Sequence, residues 1–202
     1  MLGVELNYGK YVERLQAELA RVSEDEVRRL ADAIHDAWDR GISVYIFGNG
    51  GSGTTATHMS EDLGKNLLRE SELRDESLKR LRVISLTDNV GWIMAVANDL
   101  DYEQIFVQQL MNYGKSGDLV IGISGSGNSR NVLNGIEWAN RHGLTSFGMT
   151  GYNGGELKKV AQHNLHVPLD DMGMVESIHL CLFHWILNDV YARINREGRH
   201  AG

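Results

Sequence analysis

The sequence predicts an α/β fold: a three-layer α/β/α sandwich around a central five-stranded, mostly parallel sheet. Three observations predict it. Short β-rich runs recur at 43–48, 82–86, 118–124, 145–149 and 164–169. They are mostly apolar and do not alternate cleanly, which suits parallel strands covered on both faces. Helical patterns separate them, at 54–68, 90–97, 101–112, 128–142 and 174–195. Strands alternating with helices imply βαβ units with right-handed crossovers.

Ahead of the first strand lie two helical segments. Residues 8–21 place Tyr11, Leu15 and Leu19 at four-residue spacing, an amphipathic pattern. Ser23 followed by Glu26 reads as a capping box, and the helix it opens runs to Arg40 and stops at Gly41. The charge-rich stretch 69–80 reads as a solvated connection. No linker or repeat divides the chain, so residues 1–202 are expected to form one domain.

Composition narrows the function classes. Twenty Lys and Arg against 27 Asp and Glu give a net charge of −7, which argues against a direct nucleic-acid binder. A single cysteine, Cys181, excludes an intramolecular disulfide and fits a reducing cytoplasm. No apolar run approaches the ~18 residues of a membrane span, and the N-terminus carries no apolar signal core.

Two loops have the composition of anion sites. The first strand runs into Gly48, Asn49, Gly50, Gly51, Ser52 and Gly53, where a helix opens. Small residues let backbone N–H groups approach a ligand, and the helix N-terminus favours an anion. The segment also matches a dinucleotide fingerprint. That motif needs an acidic residue about 20 positions on, whereas the second strand ends only near Asp88. No nucleotide cofactor is therefore expected. The third strand ends in Ser124, Gly125, Ser126, Gly127, Asn128 and Ser129, again opening a helix. A cap needs one hydroxyl, not three. With no Lys or Arg in the loop, neutral donors and the helix dipole suit a sugar phosphate better than a triphosphate.

Strand-GNGGS-helix followed by strand-SxSGNS-helix resembles the sugar isomerase (SIS) domain, most closely its phosphoheptose isomerases. The resemblance extends over Asn98 and Asp99, over Met149 to Gly155, and over the last long helix with its histidines. It implies that Ser124, Ser126 and Ser129 bind the substrate phosphate, with Gly125 where the family carries threonine. It implies that Asn49, Gly50, Gly51, Ser52, Asn98 and Asp99 contribute to the sugar site. It also implies a homotetramer with active sites between subunits, the helices of residues 1–41 packing in the interface.

Aldose–ketose isomerisation moves a proton between C1 and C2 through an enediol, so it needs a base and an acid in one cleft. His58 and Asp62 lie at i and i+4 on one helix face. Glu176 and His184 lie eight apart on the last helix, on roughly one face. The resemblance implies that these four form the catalytic centre and, in some members, a zinc site. Asp62 stands where the family has glutamate, and Glu176 where it has glutamine. Asp62, or Glu176 in its place, is the expected base and His184 the expected acid. Two imidazoles and two carboxylates are also a zinc-type donor set. His179 lies about 140° from His184 around the helix and reads as a packing or supporting residue. Met172, Met174 and Trp185 read as core or interface.

The expected activity is interconversion of sedoheptulose 7-phosphate and D-glycero-D-manno-heptose 7-phosphate. Two alternatives stand beside it. One is a non-catalytic tetrameric SIS protein that binds a protein partner, of the DnaA-initiator-associating type. The other is an isomerase for a different sugar phosphate.

Overall fold

The computed structural model describes residues 2–201. Among these, five strands form one sheet in the order β2-β1-β3-β4-β5. They are β1 (Ser43–Gly48), β2 (Arg82–Ser85), β3 (Leu119–Ser124), β4 (Thr145–Thr150) and β5 (His163–His166). All four pairings are parallel, where a mostly parallel sheet was expected.

The strand sequences explain the layering. In β1, Val44 and Ile46 face one core while Tyr45 and Phe47 face the other. Every β1 and β3 residue is buried, as a sheet with helices on both faces requires. One face is covered by α2 (Glu24–Arg40), α3 (Gly50–Lys65) and α8 (Met172–Asn195). The other carries α6 (Arg130–Arg141), α5 (Val107–Tyr113) and the four-residue α7 (Leu157–Val160). The remaining helices are α1 (Tyr8–Leu19) and α4 (Val90–Asp99). Among the described residues, no helix is long and apolar enough to cross a membrane.

Several expectations shift. The helix expected over 101–112 divides into a 3-10 turn at Tyr102–Gln104 and α5. The fifth strand is shorter than 164–169, because Pro168 has no N–H and the chain turns from Val167 to Leu169. Helix α3 begins at Gly50, four residues before the expected start at 54. β2 is an edge strand with Ile84 46% exposed, not covered on both faces. Gly41 ends α2 in the left-handed conformation at φ 68°, as its position after Arg40 predicts. Ser23 Oγ accepts the Glu26 N–H, but the Glu26 carboxylate does not close the capping box. It accepts the His166 N–H at 2.8 Å instead, supplying an acceptor to edge strand β5.

The strand order places the site. The chain leaves β1 for β2 on one side and returns to β3 on the other, while α3 and α6 cover opposite faces. A crevice therefore opens beyond the carboxyl ends of β1 and β3, the switch point where doubly wound sheets bind ligands.

Candidate active site

Both glycine- and serine-rich loops end in this crevice. It forms a cleft of about 260 Å³ lined by residues 49–52 and 123–126, Ser129, Met172 and Glu176. No Lys or Arg lines it. The N-termini of α3 and α6 both open at it, so two sets of free N–H groups and two helix dipoles favour an anion. Asn49 and Ser129 hold the N-cap positions of these helices, yet neither side chain caps its helix. The Ser129 hydroxyl lies 3.1 Å from that of Ser124 instead. Ser52 and Ser124 are buried, and the Ser126 hydroxyl accepts the Asn128 N–H at 3.3 Å.

Asn49 has a structural task that its motif does not reveal. Its amide exchanges two hydrogen bonds with Asn131 of α6, at 2.8 and 2.9 Å, and its Oδ1 accepts the Tyr102 hydroxyl at 3.1 Å. This pair ties the glycine loop to the helix that follows the serine loop. Asn131, Tyr102 and Met172 escaped the sequence reading. Asn131 lies two residues beyond the SxSGNS motif, and the sequence reads Met172 as core or interface. The pairing of Gly125 with Met172 is also tertiary: a Cβ on Gly125 would strike the Met172 sulfur.

Further along α3, His58 and Asp62 meet His184 of α8. His58 Nε2 is 3.2 Å and His184 Nε2 3.8 Å from Asp62 Oδ2. The two imidazoles stand edge to face with centroids 5.1 Å apart. Asp62 is buried, and its other oxygen accepts Asn66 Nδ2 at 2.6 Å. The imidazoles keep 41% and 45% of their side-chain surface exposed, so a substrate can reach them. One ligand atom from each of the three lies within 4.8 Å of the others, a grouping able to hold a metal ion.

Glu176 does not join that grouping. It lines the cleft at the glycine loop, where a Cβ on Gly51 would run into its carboxylate. Of the four residues expected from sequence as a metal set, the structure brings three together, because Glu176 lies at the start of α8, about 12 Å along the axis from His184. Asn98 and Asp99 are not among the residues lining the cleft. They are exposed at the end of α4 and bonded to each other at 2.8 Å.

The remaining histidines find partners elsewhere. His142 stacks on Trp138, and His200 pairs with Asp189 at 3.1 Å. His179 is fully buried and bonds the Thr150 carbonyl at 3.2 Å.

Known proteins share the sequence pattern and the fold of this chain. The SIS domain family model matches residues 7–151, which ends before the helix that carries Glu176 and His184. A probable phosphoheptose isomerase of Thermoplasma acidophilum is 36% identical over 177 residues, covering 88% of this chain and 93% of the relative. The phosphoheptose isomerase of Thermodesulfovibrio yellowstonii is 34% identical, covering 85% and 82%. A solved phosphoheptose isomerase from Francisella tularensis superposes with a TM-score of 0.80 at 27% identity, over 91% of this chain and 94% of that one. The chain belongs to the SIS domain family and, within it, to the phosphoheptose isomerases.

Proposed function

We propose that the chain is an aldose–ketose isomerase interconverting sedoheptulose 7-phosphate and D-glycero-D-manno-heptose 7-phosphate. One observation carries this reading: a buried carboxylate between two imidazoles lies twelve residues, about 18 Å of axial rise, along the same helix whose N-terminus opens at a hydroxyl-lined anion cleft. The phosphate occupies one end and the carbonyl carbons the other. The named relatives, all phosphoheptose isomerases, favour this reading over the protein-binding alternative.

The phosphate is held by the hydroxyls of Ser124, Ser126, Ser129 and Ser52 and by N–H groups of Gly50, Gly51 and Gly125. Asp62 Oδ2 acts as base, removing the C1 proton of the ketose and returning it to C2. Asn66 holds Oδ1, so Oδ2, beside the two imidazole Nε2 atoms, is the oxygen that faces the carbon. His184 gives a proton to the C2 carbonyl oxygen and takes one from the C1 hydroxyl, so the enediol collapses to the aldose. Glu176, in the cleft wall, orients sugar hydroxyls; it is the alternative base should Asp62 serve a metal.

The donors also fit zinc. Two imidazole nitrogens and a carboxylate oxygen form a three-ligand set with a place left for substrate, the pattern of catalytic zinc. His58, Asp62 and His184 would hold it. Zinc bound there would polarise the carbonyl oxygen.

The active unit is a homotetramer with sites between subunits. Helix α4 supports this: none of its residues is buried, and Val90 and Met94 are 60% and 67% exposed. It leads to Asn98 and Asp99, which would reach the sugar in a neighbouring copy. One exposed free cysteine, Cys181, supports a reducing, cytoplasmic setting.

The test is to incubate the protein with sedoheptulose 7-phosphate and follow aldose formation by NMR, with added zinc and after chelation. Turnover that disappears in Asp62→Asn supports the reading. No turnover under either metal condition overturns it.

A further inference from the structure

His179 lies on α8 between Glu176 and His184 but outside the acid–base set. Its Nε2 is 3.2 Å from the Thr150 carbonyl oxygen. A carbonyl only accepts, so the ring carries its proton on Nε2 and donates. Burial drives its pKa down to about 4, against the pull of this hydrogen bond and with help from His166. The ring is therefore neutral near pH 7.

Thr150 ends β4, and its neighbours connect α8 to the serine loop. The Thr150 hydroxyl pairs with His166 Nδ1 at 2.9 Å, and its carbonyl also accepts the Val167 N–H at 2.9 Å. The next residue, Gly151, donates its N–H to the Gly125 carbonyl at 2.8 Å, inside the serine loop. Gly151 has no room for a side chain: a Cβ would lie 2.6 Å from Val175 of α8 and 3.0 Å from the Gly125 oxygen. Gly125 is itself closed off by Met172. Three residues of α8, spaced over two turns, thus bear on one loop.

We propose that His179 is a positioning residue: its Nε2–H, acting through Thr150 and Gly151, sets the placement of the Ser124–Ser129 loop relative to the helix that carries His184. The inference rests on reading that loop as the phosphate anchor. The anchor and the acid–base pair belong to different elements. A substrate fixed at one must present its carbon at the other within proton-transfer reach, about 2.6–3.2 Å. Displacement of about 1 Å costs on the order of a hundredfold in rate. The bond goes to main chain, so a neutral donor is what the position needs, not a titrating ring.

Two variants separate the donor from the shape. His179→Gln keeps a neutral donor, and His179→Phe keeps bulk without one. Three quantities are measured: kcat and KM on sedoheptulose 7-phosphate, the Kd of inorganic phosphate by calorimetry, and Tm. His179→Phe is expected to lose at least about tenfold in kcat/KM, mostly in kcat, and to weaken phosphate about fivefold. His179→Gln is expected to stay within about twofold of the parent on both. Unchanged kcat and phosphate affinity in His179→Phe would overturn the proposal, as would an equal fall in both variants. Should His179→Phe not fold, the parent protein decides. The His179 Nε2–H proton resonance is expected to shift on titration with inorganic phosphate, and no shift overturns the proposal. If the parent binds phosphate without turning over the sugar, the isomerase reading fails and the phosphate arms alone judge His179. If it binds no phosphate, this inference fails.

Discussion

The sulfur of Met172 fills the space that a side chain on Gly125 would occupy. A glycine in the serine loop and a thioether from α8 therefore form a single complementary pair in one cleft. A threonine at position 125, the residue the family resemblance implies there, would strike that sulfur.

Gly125→Thr is accordingly expected to raise KM for sedoheptulose 7-phosphate about tenfold. Met172→Ala alone is expected to change it little. The double variant Gly125→Thr/Met172→Ala is expected to recover most of the loss, since neighbours sharing one space are non-additive. Steady-state kinetics of the three variants check this. Additive effects would mean that the two residues are independent.

Asp62 has the two imidazoles at one oxygen and Asn66 at the other. Asp62→Asn preserves its volume and removes the base, so kcat should fall about 10²–10⁴-fold with little change in circular dichroism. His184→Ala should lose turnover within a similar range, because its half-exposed ring contributes little to the core. Near-normal kcat in either variant would remove that residue from proton transfer.

The three-ligand grouping makes a metal prediction that needs no activity. Zinc should bind once per chain, measured by calorimetry. His58→Ala should weaken it by at least about a hundredfold, more than loss of a mere supporting contact. Glu176→Gln should leave zinc affinity within a few-fold, because its carboxylate lies at Gly51 rather than in the grouping. Equal losses in both variants would return Glu176 to the ligand set.

His179 also makes stability depend on pH. Burial lowers its pKa to about 4 from the ordinary 6.5, so the unfolded chain takes up the proton first as pH falls. Its neutral burial therefore contributes full stability above pH 6.5, lost progressively toward pH 4. The loss is on the order of 3 kcal/mol. Urea unfolding at pH 7 and pH 4.5 should show a smaller drop for His179→Gln than for the parent. Identical drops would mean that the ring is not held neutral.

Local order determined much of this protein. Apolar runs such as 43–48 and 118–124 can only be buried on both faces, and alternating them with helices leads to a parallel sheet. The Ser23 cap, the stop at Gly41 and the two small-residue loops depend on neighbours a few positions apart, so they are legible in one dimension. The i and i+4 spacing of His58 and Asp62 likewise follows from helix geometry alone. Contacts between distant segments are not legible in this way. The partner of Glu26 is His166, that of Asn49 is Asn131, and that of Gly125 is Met172; each depends on how layers dock. Glu176 and His184 share a helix, yet only tertiary packing decided that His184 reaches Asp62 while Glu176 turns to the glycine loop. Helix periodicity gives direction around an axis, whereas a site needs the distance between axes, and that distance is set by the core between them.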